Sequence, residues 1–244
     1  MGVKSAVRVL EVLEYFDDVR RAASVTEVAH ALDYPVSSTS MLLNSLLGLG
    51  YLEQNAQRCY VPTPRVTLLG SWVAPQLSQD SHILRMMDEL GRITGQTIVL
   101  GVASESLVRY IHVVPATRTL RMHVSVGSTR PLAISGTGRL FLSTRSEEKV
   151  RQAIFRHNQE AGVAPLSLED VNRDLQAIRK RGYALSLDLF LPGVGLVAMH
   201  LPERIAGHRL ALGIGGPGQD IRANATEFIR LMKDAVERYC TPVK

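Results

Sequence analysis

SVTEVAHALDYPVSSTSMLLNSLLGLGYLE, residues Ser24 to Glu53, sets the architecture of the N-terminal part of the chain. Val25, Val28, Ala29 and Leu32 recur at helical spacing and a proline follows at position 35. Proline disfavours the α conformation in the residue before it but suits the first turn of a new helix. The spacing therefore predicts a short helix over 26–32, a break at Asp33-Tyr34-Pro35, and a second helix from Pro35 to Leu49. Ser24 or Thr26 would cap the first, with Glu27 in its opening turn. Leu42, Leu43, Leu46, Leu47 and Leu49 give the second an apolar side, and Gly48 and Gly50 end it. Leucine packing does not account for Ser37, Ser38, Thr39, Ser40 and Asn44 at its front.

Working outward, Ala6, Val9, Leu10, Leu13 and Phe16 predict a helix over 5–16. Downstream, YLEQ and RCYVPT flank Asn55-Ala56 as two short extended pieces, a hairpin by pattern. Helix, helix–turn–helix and hairpin is the order of a winged helix-turn-helix domain, in which the front of the third helix faces the major groove. Short hydroxyl and amide side chains there can bond phosphates and base edges, and the helix N-terminus adds partial positive charge. The other reading of Ser37 to Ser40 is that they only cap and solvate the helix start.

Beyond Pro64 the pattern is helical to Gly95 with a break near Pro75, which predicts a linker helix carrying Trp72 and the first helix of a second domain. Strand-like runs follow at 97–103, 107–114 and 120–126, helices near 137–143, 147–157 and 168–181, strands at 183–188, 195–201 and 208–214, and a closing helix over 219–239. Hairpin-length links between successive strands imply an antiparallel sheet with helices packed on it, an α+β class. The expected division is a winged helix-turn-helix domain over 1–64, a linker helix over 65–80 and a ligand-sensing domain over 81–244.

Composition narrows the function classes. No apolar run approaches the roughly 20 residues that span a bilayer, and the first residues lack a signal-peptide core. We therefore expect a cytoplasmic protein with no membrane partner. Cys59 and Cys240 form neither a disulfide framework nor a metal knuckle. The net charge is +5, yet residues 1–70 hold six Lys/Arg against seven Asp/Glu. The cationic excess therefore lies outside the segment expected to touch DNA. The seven histidines show no ligand spacing, His112 and His123 included, so no metal or cofactor is expected. GVGLVA at 193–198 precedes a strand rather than a helix and fails as a dinucleotide loop. Nothing supplies a nucleophile–base pair, so an enzyme is not expected.

In the second half, SGTGRLFLS (135–143) places two glycines at a helix start. Backbone amides of Gly136 and Thr137 could hold a ligand carboxylate there; a simple tight turn is the alternative.

The quoted Ser24–Glu53 stretch resembles the DNA-binding domain of IclR-type bacterial transcriptional regulators. ELGRITGQTIVLGVASESLVRYIHVV, GSTRPLAISGTGRLFLS, IRKRGYALSLDLFLPGVGLVAMHL and RLALGIGGP resemble the family's sensor domain, in the family's order. The resemblance implies a winged helix-turn-helix, a linker helix and an effector domain related to GAF and profilin-like folds. It also implies a homodimer or dimer of dimers, double-stranded operator DNA as partner, and a small carboxylated effector.

Two departures matter. Where the family often carries Lys, His and Arg on the recognition helix, this chain has Val36, Ser40 and Met41, and no cation lies between Pro35 and Leu52. Phosphate contacts are then expected from Lys4, Arg8, Arg58 and Arg65, with a shallow salt dependence. Where the family's pocket carries an acid, a cysteine and two serines, the aligned residues are Ser186, Leu196, Gly213 and Gly215. With Asp188 nearby, this implies an enlarged, drier pocket and an effector of mid-size, branched or aromatic character. A winged-helix protein-interaction module with a small-molecule sensor is the alternative function, kept open by the near-neutral first 70 residues; an enzyme with an accessory N-terminal domain is a third.

Overall fold

The computed structural model describes residues 3–70, 82–118, 124–160, 162–205 and 207–240. The chain divides into two units, Met1–Ala74 and Pro75–Lys244.

In the first unit, helix α1 (Lys4–Val19) buries Val12 and Phe16 and ends where Arg20 turns left-handed at φ 49°. Helix α2 (Val25–Ala31) opens on a reciprocal cap. Ser24 Oγ accepts from the Glu27 amide at 3.3 Å, and the Glu27 carboxylate accepts from the Ser24 amide at 2.8 Å. The Ser24 amide first, then the Ser24 hydroxyl and the Arg21 guanidinium, hold the Glu27 carboxyl below the usual carboxylate range. Asp33, at φ 55°, makes the turn, and helix α3 (Val36–Gly48) follows with Pro35 at its cap position.

Strands β1 (Leu52–Gln54) and β2 (Tyr60–Pro62) pair antiparallel, Leu52 opposite Pro62 and Gln54 opposite Tyr60. Ala23 bridges to Tyr60 and draws the α1–α2 connection onto this wing. Val12, Phe16, Val28, Leu43, Leu46, Leu52 and Tyr60 make one core. Leu49, expected on the apolar side, is 58% exposed. Helix α4 (Pro64–Gly70) begins the expected linker; most of the 65–80 span, Trp72 included, lies outside the described residues.

The second unit starts with helix α5 (His82–Thr94), then strands β3 (Thr97–Ala103), β4 (Leu107–Val114) and the short β5 (Thr129–Pro131). Helices α6 (Gly136–Leu142), α7 (Glu147–Asn158) and α8 (Leu168–Arg181) come next. Strands β6 (Tyr183–Leu187), β7 (Val194–Ile205) and β8 (His208–Pro217) lead into helix α9 (Gly218–Cys240). The six strands form one sheet in the order β5-β4-β3-β8-β7-β6, with every neighbour antiparallel. Strand alternation sends Val99, Leu196, Ala198 and Ala211 to the face that α6, α7 and α8 cover. Gly195 points the other way and packs against Ile221 of α9.

The α+β reading holds, with two corrections. Of the strand expected over 120–126, residues 120–123 lie outside the described residues; its described end, within the irregular stretch Val124–Ser128, is not a strand, and the edge strand is Thr129–Pro131. The strand expected to reach Asp188 stops at Leu187, because Asp188 turns left-handed at φ 58°. Among the described residues no helix is long and apolar enough to cross a membrane.

Candidate nucleic-acid interface and effector cleft

The proline side chain carries no acceptor, so Pro35 at the cap position gives α3 no side-chain cap. Ser38 Oγ and Thr39 Oγ1 instead donate backwards to the Pro35 carbonyl, at 3.0 and 3.1 Å. The amides of the first turn have no acceptor from the helix itself, and the positive end of the helix dipole lies there. Capping therefore does not explain the serine run. Ser37 and Asn44 are exposed, and Ser38 and Ser40 half-buried. Thr39 is corrected: at 1% exposed it stands on the inner face with Leu43 and Leu46, and reads nothing outside. Asn44 Oδ1 accepts from the Tyr60 hydroxyl at 2.8 Å, which ties the wing to α3. Val36 and Met41, 52% and 73% exposed, add apolar surface to the same helix.

The four candidate cations divide. Lys4 is exposed at the start of α1. Arg8 lies over the Tyr34 ring at 4.5 Å, and the Tyr34 hydroxyl donates to Glu11. That bond holds the Tyr34 phenol above its ordinary pKa. Arg58 is exposed in the wing turn at φ 58°, where Asn55 Oδ1 accepts from the amides of Gln57 and Cys59. Arg65 is exposed; its Nη1 donates to the Leu49 carbonyl at 2.9 Å and its guanidinium covers the Tyr51 ring at 4.8 Å. It clamps the C-terminal end of α3, roughly 18 Å along the helix from Ser37 at 1.5 Å per residue.

In the second unit, Ser135 Oγ accepts from the Gly138 amide at 3.0 Å and donates to the Pro131 carbonyl at 2.7 Å. The helix's own ladder leaves the amides of Gly136 and Thr137 unused. A Cβ on Gly136 would stand 2.9 Å from Leu196 Cδ2 and 3.1 Å from Ser186 Cβ. Ser186, Leu196 and Gly215 lie opposite one another across β6, β7 and β8.

Gly136, Ser186 and Leu196 line a cleft of about 30 Å³ together with Tyr110, Arg130 and Phe190. Four candidates fall elsewhere. The Thr137 side chain is fully buried behind the cleft, its hydroxyl 3.2 Å from that of Tyr110. Asp188 is exposed, and its Oδ1 accepts from the Gly193 amide at 2.7 Å to close a turn. Gly213 does not widen the cleft: a Cβ there would lie 3.0 Å from Val99 Cγ2 and 3.4 Å from Leu196 Cδ1, so neighbours already fill the space. Gly215 is paired in the sheet between Thr97 and Leu196 and lies off the lining.

Sequence reasoning missed Arg130. Its guanidinium lies over Phe190 at 4.7 Å and Tyr110 at 5.4 Å and is the cation of the cleft. Burial raises the pKa of Tyr110, so its hydroxyl stays protonated beside Thr137. Next to the cleft, and sharing Gly136, Ser186 and Leu189 with it, lies a roomier one of about 210 Å³ under α8. There Arg139 pairs with Asp174 and donates to the Ala133 carbonyl at 3.0 Å. Among the described residues no group of His, Cys, Asp and Glu could hold a metal.

The IclR helix-turn-helix domain matches residues 5–56, and the C-terminal domain of the bacterial transcriptional regulator IclR matches residues 80–241. The chain belongs to the IclR family. It is 28% identical to the acetate operon repressor of Salmonella typhimurium over 88% of this chain and 80% of that protein. It is 25% identical to the HTH-type transcriptional regulator KdgR of Escherichia coli over 88% of this chain and 83% of that one. The crystal structure of Thermotoga maritima IclR shares its fold at a TM-score of 0.64 and 19% identity, over 97% of each chain. The IclR regulator of Alicyclobacillus acidocaldarius does so at 0.61 and 24%, over 98% of each. This protein is thus a DNA-binding transcriptional regulator of the IclR family with an effector-binding domain, and not an enzyme.

Proposed function

We propose that residues 1–64 read a double-stranded operator with the front of α3, and that residues 81–244 sense a small carboxylate in the cleft at Gly136, with 65–80 joining them. The observation that carries the first half is the division of α3. Leu43, Leu46 and Thr39 are buried while Ser37, Ser38, Ser40 and Asn44 stand on the other side. Hydroxyl and amide groups contact base edges and phosphates, Val36 and Met41 contact thymine methyl groups, and Lys4, Arg8 and Arg58 supply phosphate contacts.

In the sensor domain, Arg130 and the amides of Gly136 and Thr137 hold the carboxylate, Ser186 donates a hydrogen bond, and Leu196 and Phe190 cover an aromatic or branched body. The cleft of about 30 Å³ holds little more than a water molecule. A mid-size effector therefore enters by displacing the turn closed by Asp188. The chain works in the cytoplasm as a homo-oligomer; the exposed apolar residues Val7 and Leu10 of α1, with Val3 at its cap, support self-association.

Gel retardation of the promoter beside its own gene, with a panel of carboxylates, tests the reading. Sequence-specific retardation altered by an aromatic or branched acid is expected. Equal affinity for every duplex, or a response to glyoxylate or pyruvate rather than to larger acids, overturns the corresponding half.

A further inference from the structure

Helix α3 carries no charged residue. In the major groove each base is read by its own side-chain chemistry. Arg or Lys reads guanine, Asp or Glu the cytosine amine, Asn or Gln adenine, and apolar side chains the thymine methyl group. The first two pairings are closed to this helix. The third is hampered by the wing. Reading adenine takes both ends of a carboxamide, one accepting from N6 and the other donating to N7. Asn44 is the one carboxamide on α3, and its Oδ1 already accepts from the Tyr60 hydroxyl at 2.8 Å, which ties the acceptor end to the wing.

The hydroxyls discriminate little. Ser38 Oγ donates to the Pro35 carbonyl and Ser45 Oγ to the Met41 carbonyl at 2.8 Å, so each offers a base only a lone pair. Ser37 and Ser40 present single hydroxyls, which bond donors and acceptors alike. What remains is apolar. Ser37, Met41 and Ser45 follow one another at four-residue spacing on the exposed side, opposite Thr39, Leu43 and Leu46. Met41 is the most exposed large apolar side chain among the described residues, and it stands in the middle of this hydroxyl-bearing face. Val36 is exposed at the helix start. The C5 methyl of thymine is the apolar group that base edges present in the major groove.

We infer that this regulator recognises its operator through thymine methyl groups, with Met41 as the central reader and Val36 beside it, and draws no specificity from guanine. The inference rests on the operator reading of α3 and names the base class beneath that helix: A·T pairs whose methyl groups meet Met41 and Val36.

Fluorescence anisotropy of the full-length protein tests this on the promoter segment beside its own gene, made in four forms. One is natural, one is sequence-shuffled, one has uracil for every thymine, and one has 7-deazaguanine for every guanine. Uracil lacks only the methyl group, and 7-deazaguanine only the N7 acceptor. Losing one buried methyl contact costs about fourfold in affinity, so uracil should weaken binding about tenfold or more when Met41 and Val36 each lose one. The 7-deazaguanine segment should bind nearly as the natural one does. Met41→Ala, at an exposed position, should keep the fold and narrow the thymine-to-uracil ratio about fourfold. Three results overturn this inference alone: sequence preference undiminished by uracil, a loss on 7-deazaguanine as large as that on uracil, or a Met41→Ala ratio that does not change. The last is the outcome if a second protein chain, rather than DNA, covers Met41. No preference for the natural over the shuffled segment overturns the operator reading, and this inference with it.

Discussion

Helices α3 and α6 both begin with short runs of small polar residues, SSTS at 37–40 and SGTG at 135–138, and use them in opposite ways. On α3 there is no side-chain cap and three of the four hydroxyls lie on the water side. On α6 the serine is a cap and every residue from Gly136 to Leu142 is buried. The same chemistry thus offers side chains to a partner in one place and only backbone amides in the other. Burial decides which: an outward hydroxyl costs little to leave unpaired, because water serves it, whereas an inward one must find a protein acceptor. Ser135 finds Pro131, and Thr137 finds Tyr110.

The contrast can be broken most forcefully at Gly138. A Cβ there would lie 2.6 Å from Leu132 Cα and from the Pro131 oxygen, both backbone atoms that cannot rotate away. Gly138→Ala should therefore cost about 3 kcal/mol in urea unfolding of the chain, the upper end of ordinary overpacking. A loss under about 1 kcal/mol would mean that α6 sits less tightly on this segment.

The matching change on α3 should do the reverse. Ser37→Ala combined with Ser40→Ala should leave stability within about 0.5 kcal/mol while weakening operator binding by about 2 kcal/mol, near 1 per lost hydrogen bond. Fluorescence anisotropy across salt concentrations reads both this loss and the salt slope. The slope should stay shallower than that of about eight neutralised phosphates.

Ser24→Ala removes half of the reciprocal cap on α2 and should lower thermal stability by about 1 kcal/mol. The smallest effect concerns pH. Burial first of all holds the His200 pKa below the ordinary 6.5, against backbone carbonyls of Leu210 and Leu140 at 3.2 Å that favour its protonation. The unfolded chain then binds a proton more readily than the folded one. The contribution is complete above pH about 6.5 and is lost as pH falls below that value. His200→Gln should flatten melting temperature between pH 7 and 5, a range above that in which carboxylates such as Glu27 titrate.

How much of this was legible in the sequence varies with the range of the interactions. The first unit follows from local spacing and from Pro35, so its element order was readable residue by residue. Even Thr39 was decidable: it stands four residues before Leu43 and seven before Leu46, on their face of the helix. Arg65 was not, because its partner is a carbonyl 16 residues away that any exposed arginine could have ignored. In the sensor domain the glycine-bearing helix start was readable. Arg130 and Tyr110 reach the cleft only because β5 pairs with β4, with Val108 opposite Arg130. That three-residue edge strand is too short to show alternation. Asp188 was misread because a left-handed turn ends β6 and swings its carboxylate onto Gly193.

Arg65 Nη1 holds the Leu49 carbonyl, Thr63 Oγ1 donates to the Gly50 carbonyl at 2.7 Å, and the Thr63 amide donates to the Tyr51 carbonyl at 3.0 Å. The rear of α3 and the first turn of α4 are thereby bolted into one lever about 18 Å long, measured to Ser37. A tilt of only about 10° at the bolted end sweeps the serine tip by roughly 3 Å, a full hydrogen-bond length. A modest pull on the chain leaving this unit would be enough to lift the tip off a base edge.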